Sequence, residues 1–186
     1  MILFIDTTSR NTRLALGEQT VDFTAEKQSV DVPARVRDML ARCGRPTAVG
    51  VMTGPGIPAC AGMTKSFPEL KAIGVMTGPG SFTGIRLGIA YAKGLAMGYN
   101  VPLVGVNLFD FSNAHIAAIN SGRGDFYVRR NDKFEITDVF PKGAVLIDSY
   151  DPADAISIVQ SRVAAGAMEE VIPLYIRPSY VEKLKT

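Results

Sequence analysis

The chain has 186 residues, 47% of them apolar and 20% charged, which excludes disorder of the whole chain and calls for a packed core. Twenty lysines and arginines against 18 aspartates and glutamates leave a formal charge of +2, too little for a broad nucleic-acid-binding face. Cys43 and Cys60 form no C-x-x-C pair and His115 is the single histidine, so a disulfide scaffold, a zinc site or an imidazole-based nucleophile relay has little to build on. Arg86 and Lys93 interrupt the best apolar run, and Asp6 ends the first one after five residues. A soluble cytoplasmic protein is the expectation.

In chain order, Met1–Asp6 reads as a strand that runs into the polar turn Asp6-Thr7-Thr8-Ser9. Thr12–Leu16 and Val21–Thr24 predict a hairpin around Gly17-Glu18-Gln19. The period then changes. Val32, Val36, Met39, Leu40 and Cys43 recur at helical spacing, which predicts a helix over 31–43 with Asp31 as N-cap, Pro33 in the first turn and Gly44 just past the end.

An internal repeat follows. Ala48–Gly56 reads AVGVMTGPG and Ala72–Gly80 reads AIGVMTGPG, differing only at Val49 and Ile73. The first copy runs into proline and glycine, whereas the second runs into SFTGIRLGIAYAKGLAMG, which can form a helix. The second copy is therefore the expected strand–loop–helix unit, and 45–67 is expected to be an inserted loop. Two genuine parallel strands are the alternative.

Val101–Val106 predicts a strand and Asn107 opens a short helix. Ala114–Ile119 and Asp125–Arg130 read as strands around Ser121-Gly122-Arg123-Gly124, with further strands at Phe134–Phe140 and Ala144–Asp148. Asp151 caps a helix that starts at Pro152 and stops near Ala165, and Ile172–Arg177 is a last extended segment. This order is that of an α/β protein with mixed sheets.

Three groups of residues could carry function. The glycine-rich turn Gly78–Gly84 opens a helix, and Ser81 or Thr83 can cap it. Gly78, Gly80, Ser81 and Thr83, with Asp6, Thr7 and Thr8, are thus candidates for phosphate contact, while tight strand–helix packing explains the turn equally well. It is neither a P-loop nor a nucleophile elbow, because G-K-[ST] is absent and Pro79 stands where the elbow needs its first glycine. The second group lies on the helix itself. Gly84, Gly88, Ala92 and Ala96 form one row of small residues and Ala90, Gly94 and Gly98 another. Interior glycine costs roughly 1 kcal/mol relative to alanine, so close approach of another surface is expected to offset it. Val32, Val36, Met39, Leu40, Gly84, Arg86, Gly88, Ala92, Gly94 and Ala96 are the candidate partner or dimer interface, with packing against the chain's own sheet as the alternative. The third group, Arg123, Arg129, Arg130 and Lys133, reads as a solvated sheet edge, with RNA contact as the lesser reading. His115, in an apolar run, reads as a core or strand-facing histidine.

IDTTSRNTRLAL, AIGVMTGPGSFTGIRLGIAYAKGLA, VPLVGV, AAINSGRGDFYV and PLYIR, in that order, resemble the TsaB (YeaZ) family. The resemblance covers most of the chain outside 45–67 and 150–170. It implies an actin-like fold of two lobes with mixed sheets, residues 1–106 forming the first lobe and 107–186 a smaller, shortened second. It further implies a non-catalytic partner subunit that binds a TsaD-type transferase through helices of the first lobe, joined by a TsaE-type ATPase, in threonylcarbamoylation of adenosine 37 in tRNA. No metal or cofactor of its own is implied; ATP or ADP would sit at the partner interface. Contact with tRNA would be indirect or weak, and the free chain could homodimerise through the same face. The chain departs from the family pattern in the 45–67 segment, in Gln28-Ser29 where His-Ser/Thr is usual, and in its short second lobe. The competing reading is a small actin-like ATP-binding phosphotransferase or hydrolase that uses Asp6, Thr8 and the Gly78–Gly84 turn, and behind it a peptidase.

Overall fold

The computed structural model describes residues 1–43, 69–167 and 169–177. The first copy of the repeat, the 45–67 segment and Gly44 lie outside these residues, so the two readings of that segment are not distinguished.

Strands β1 (Ile2–Asp6), β2 (Asn11–Leu16), β3 (Gln19–Thr24), β4 (Ala72–Gly78) and β5 (Leu103–Asn107) form a mixed sheet in the order β3-β2-β1-β4-β5. β1, β2 and β3 pair antiparallel, and β1–β4 and β4–β5 pair parallel. The two-residue turn between β2 and β3 needs Gly17, whose φ is +59°. β1 and β4 are buried along their whole length because helices cover both faces. Leu3, Ile5, Ile73 and Val75 face α1 (Gln28–Cys43) and α2 (Phe82–Tyr99). Ile2, Phe4, Ala72 and Met76 face α3 (Pro152–Ala164) on the other side. A Cβ at Gly74 would lie 2.5 Å from Val159 and 2.8 Å from Phe4, so this glycine lets α3 settle directly on the sheet.

The chain leaves the first sheet after β5 through a 3₁₀ turn (Leu108–Phe111) that Asn107 caps, with Asp110 completing the capping box. β6 (Ile116–Asn120), β7 (Phe126–Arg130), β8 (Lys133–Thr137) and β9 (Val145–Leu146) then build a second sheet in the order β8-β7-β6-β9. Its core is Phe109, Ala117, Ile119, Tyr127 and Ile147. Asp151 and Pro152 start α3 as expected, and that helix brings the chain back onto the first sheet. Residues 171–177 carry no helix or strand.

Three local expectations change. α1 starts at Gln28, because Asp31 is not its cap but accepts from the Lys27 N–H at 3.0 Å from inside the first turns. Pro33 consequently lies inside the helix. His115 is exposed just ahead of β6 instead of lying in the core. Arg129 is not on a solvated edge. Its guanidinium donates to the carbonyls of Phe109, Ser112 and Ala114 at 3.0, 2.6 and 3.1 Å and ties β7 to the 3₁₀ turn.

Candidate functional site

Asp6 ends β1 at the bottom of a cleft of about 890 Å³ between the two sheets. One carboxylate oxygen accepts from the Thr8 backbone N–H at 2.8 Å and from its hydroxyl at 2.7 Å. The other accepts from the Tyr150 hydroxyl at 2.6 Å. Burial, then the charge of Asp6, pushes the Tyr150 hydroxyl well above its usual 10, so it stays protonated and donates. Arg13 closes the group. It holds Asp22 with two hydrogen bonds of 2.8 and 2.7 Å, donates to the Tyr150 carbonyl at 2.9 Å and lies 4.9 Å from the centre of the Tyr150 ring. The Arg13 bond in turn holds the Asp22 carboxyl below its usual range. Phe111 stacks on the same ring at 4.5 Å. Both oxygens of Asp6 and the fork of Arg13 are thus engaged within the chain.

The Gly78–Ser81 turn, whose Gly78–Pro79 peptide is cis, locks onto the Asp6–Thr8 loop. Ser81 donates its N–H to the Thr8 carbonyl at 2.6 Å, and its side chain accepts from Gly84 N–H as the N-cap of α2. The buried Thr7 hydroxyl donates to the Gly84 carbonyl at 2.7 Å. The fit is too close for side chains. A Cβ would lie 2.5 Å from the Thr8 carbonyl oxygen at Gly80, 2.0 Å from that of Thr7 at Gly84, and 2.2 Å from the Thr7 hydroxyl at Gly88. From α1, the Gln28 amide donates to the carbonyls of Thr7 and Ser9 at 3.2 and 2.7 Å and to the Thr12 hydroxyl at 3.2 Å. One polar knot therefore joins β1, α1 and α2.

Of the candidate phosphate contacts, Asp6, Thr8, Gly80 and Ser81 line the cleft. Thr7 is turned inward to Gly84, Gly78 sits beneath the carbonyl of Leu174, and Thr83 is exposed on α2 outside the lining. The candidate interface divides more sharply. Val32, Val36, Met39, Leu40, Gly84, Gly88, Ala92 and Ala96 are buried in the chain's own core or against its own loop, so they present no surface to a partner. Close approach does offset the glycine cost, but the approaching surface is the Asp6–Thr8 loop. Arg86 and Gly94 are exposed. Among the described residues no atoms lie near a Cβ at Gly94 or Gly98, and with Ala90 and Met97, which is 83% exposed, they form the outward row of α2.

A family model described as "TsaD: tRNA N6-adenosine threonylcarbamoyltransferase" matches residues 57–126. Over 42 residues the chain is 48% identical to the "tRNA threonylcarbamoyladenosine biosynthesis protein TsaB" of Escherichia coli (strain K12), a stretch that covers 23% of this chain and 18% of that protein. Among solved structures it resembles "YeaZ from Pseudomonas aeruginosa" with a TM-score of 0.59 and 18% identity, over 94% of this chain and 99% of that one. In sequence the likeness is to proteins of threonylcarbamoyladenosine biosynthesis over part of the chain, and over nearly its whole length the likeness is one of fold. A second Pseudomonas aeruginosa structure, described as a protein with similarity to peptidase YEAZ, aligns equally well at a TM-score of 0.59 and 18% identity, over 95% of this chain and 99% of that one. At that identity the structural likeness carries the fold, which is the actin-like arrangement of mixed sheets.

Tyr150 and Arg13 are members of the site that the sequence did not single out, and Gln28 was marked only as a departure from the family pattern. Tyr150 lies 144 residues from Asp6 in a segment without a motif, so no local signal marks it. Arg13 and Asp22 could have been paired in advance, since the hairpin register around Gly17 sets them opposite each other.

Proposed function

We propose that this chain is a non-catalytic subunit in the synthesis of threonylcarbamoyladenosine in tRNA, and that it acts by binding a TsaD-type transferase subunit. The observation that carries the reading is the state of Asp6. It lines the cleft from the end of β1, alongside Asp22 and Asp148, and Thr8 and Tyr150 donate to both of its oxygens. The cleft-lining hydroxyls of Thr8 and Ser81 are likewise turned to capping and loop closure. Among the described residues, no three histidine, cysteine, aspartate or glutamate side chains come together to hold a metal ion.

The surface that suits a partner is the outward row of α2, Ala90, Gly94, Met97 and Gly98, flanked by Lys93 and half-buried Tyr91. Small residues there let a facing helix approach closely, and Met97 supplies an apolar anchor. A TsaE-type ATPase would join the pair, with ATP or ADP held at the subunit interface, and free copies would pair through the same row.

The test is reconstitution with the transferase, the ATPase, tRNA and the threonylcarbamoyl donor. Product formation should require this chain and survive Asp6→Asn in it, whereas turnover by the chain alone, abolished by Asp6→Asn, would favour the actin-like phosphotransferase or hydrolase.

A further inference from the structure

Residues 171–177 have no regular structure, yet they bind both halves of the molecule. Val171 is buried in the core of the first sheet. The Leu174 N–H donates to the Thr77 carbonyl at the end of β4 at 2.8 Å. Tyr175 stacks on Phe82 of α2 with ring centres 4.8 Å apart, and its hydroxyl accepts from Arg86 Nε at 2.8 Å. The same guanidinium covers the Phe82 ring at 3.9 Å. On the opposite side of the segment, Leu174 and Ile176 pack into the core of the second sheet. Arg177 pairs with Asp125 beside the β6–β7 turn, where Asp125 also takes the Ser121 hydroxyl, and lies 5.9 Å from the Tyr127 ring centre.

We propose that 171–177 is a clasp that fixes the second sheet against α2 and so sets the width of the interlobe cleft. The chain crosses between the sheets twice more, through the 3₁₀ turn and through 147–151. Those crossings are held by half-buried contacts, the Arg129 bonds to backbone carbonyls and the Tyr150–Asp6–Arg13 group. The clasp instead grips α2 through groups at the surface. Arg86 is exposed and Tyr175 is 39% exposed. Cation–π and charge-assisted contacts at the surface are weak enough to open and close reversibly. Releasing Tyr175 from Arg86 loosens the α2 end of the segment, and the cleft widens about the tethers that remain, the 3₁₀ turn, the Tyr150 side, Val171 and the Leu174–Thr77 bond. The clasp stands whether or not the chain binds a transferase, and Arg86 is its positioning residue.

Two readouts on Arg86→Ala test it. Hydrogen exchange at the Leu174 amide should become roughly tenfold faster, the factor expected for losing one charge-assisted hydrogen bond, with the Val75 amide of β4 unchanged. Spin labels on cysteines introduced at Arg10 and Lys133, with Cys43 and Cys60 replaced by serine, should report a longer and broader distance distribution across the cleft. Should Arg86→Ala fail to fold, Tyr175→Phe keeps the ring, removes only the hydroxyl and should move both readouts in the same direction. A folded variant with unchanged exchange at Leu174 and an unchanged distance distribution overturns the clasp.

Discussion

The two small-residue rows of α2 look alike in sequence and do opposite things in the structure. Gly84, Gly88, Ala92 and Ala96 face inward, where a backbone loop or the core fills the space that a side chain would need. Ala90, Gly94 and Gly98 face outward, and among the described residues nothing approaches Gly94 or Gly98. The first row sustains the fold, because the polar knot around Asp6 forms only if α2 lets the Thr7–Thr8 backbone lie directly on it. Among the described residues the second row packs against nothing, and it carries the full helix penalty of Gly94. A small residue in a helix therefore needs its facing surface identified before it is read as packing or as interface.

Substitutions on the two rows should separate by sign. Gly84→Ala puts a methyl group 2.0 Å from a backbone oxygen that cannot rotate away. It should lower stability by at least about 3 kcal/mol in chemical denaturation, or prevent folding. Gly88→Ala meets the Thr7 hydroxyl, which can turn aside only by giving up its bond to Gly84. A loss of about 2 kcal/mol is expected, read the same way. Tyr150→Phe leaves one oxygen of buried Asp6 without its donor. That should cost about 1.5 kcal/mol, and equal stability would show that the Tyr150–Asp6 bond adds nothing as a tether. Gly94→Ala runs the other way, with a gain of about 0.5–1 kcal/mol in the melting transition of the free chain.

The smallest effect is one of acidity. The Ser121 hydroxyl, then Arg177, holds the Asp125 carboxyl below its usual 3.8, with Arg123 adding to the pull. A carboxylate depressed in this way contributes its full stabilisation above pH 3.8 and loses it as the pH falls through its lower folded-state value. The Arg10–Lys133 label distance should therefore lengthen in that acid window, and Asp125→Asn should remove the dependence.

Much of this was legible in the chain. Period-two and helical patterning marked every described element to within a few residues, and Asn107 and Asp151 stand where the caps form. The start of α1 was misjudged because Asp31 serves the same Lys27 N–H from within the helix that a cap would serve from outside. His115 misled because it stands in an apolar run but precedes the strand. The candidate site was half legible. Asp6, Thr8, Gly80 and Ser81 could be grouped from local turn chemistry, whereas Tyr150, 144 residues away, reaches Asp6 only because the chain returns from the second sheet. Which side of α2 is buried depends on the Thr7–Thr8 loop, and helical spacing alone carries no sign for that choice.

The most direct measurement is light scattering after size exclusion on mixtures of a TsaD-type transferase with the wild-type chain and with Gly94→Arg. The wild-type chain should form a one-to-one complex, and Gly94→Arg should melt no lower than the wild type and form none. A Gly94→Arg chain that binds as well as the wild type, or a wild-type chain that does not bind a competent transferase, would contradict the outward row as the partner surface.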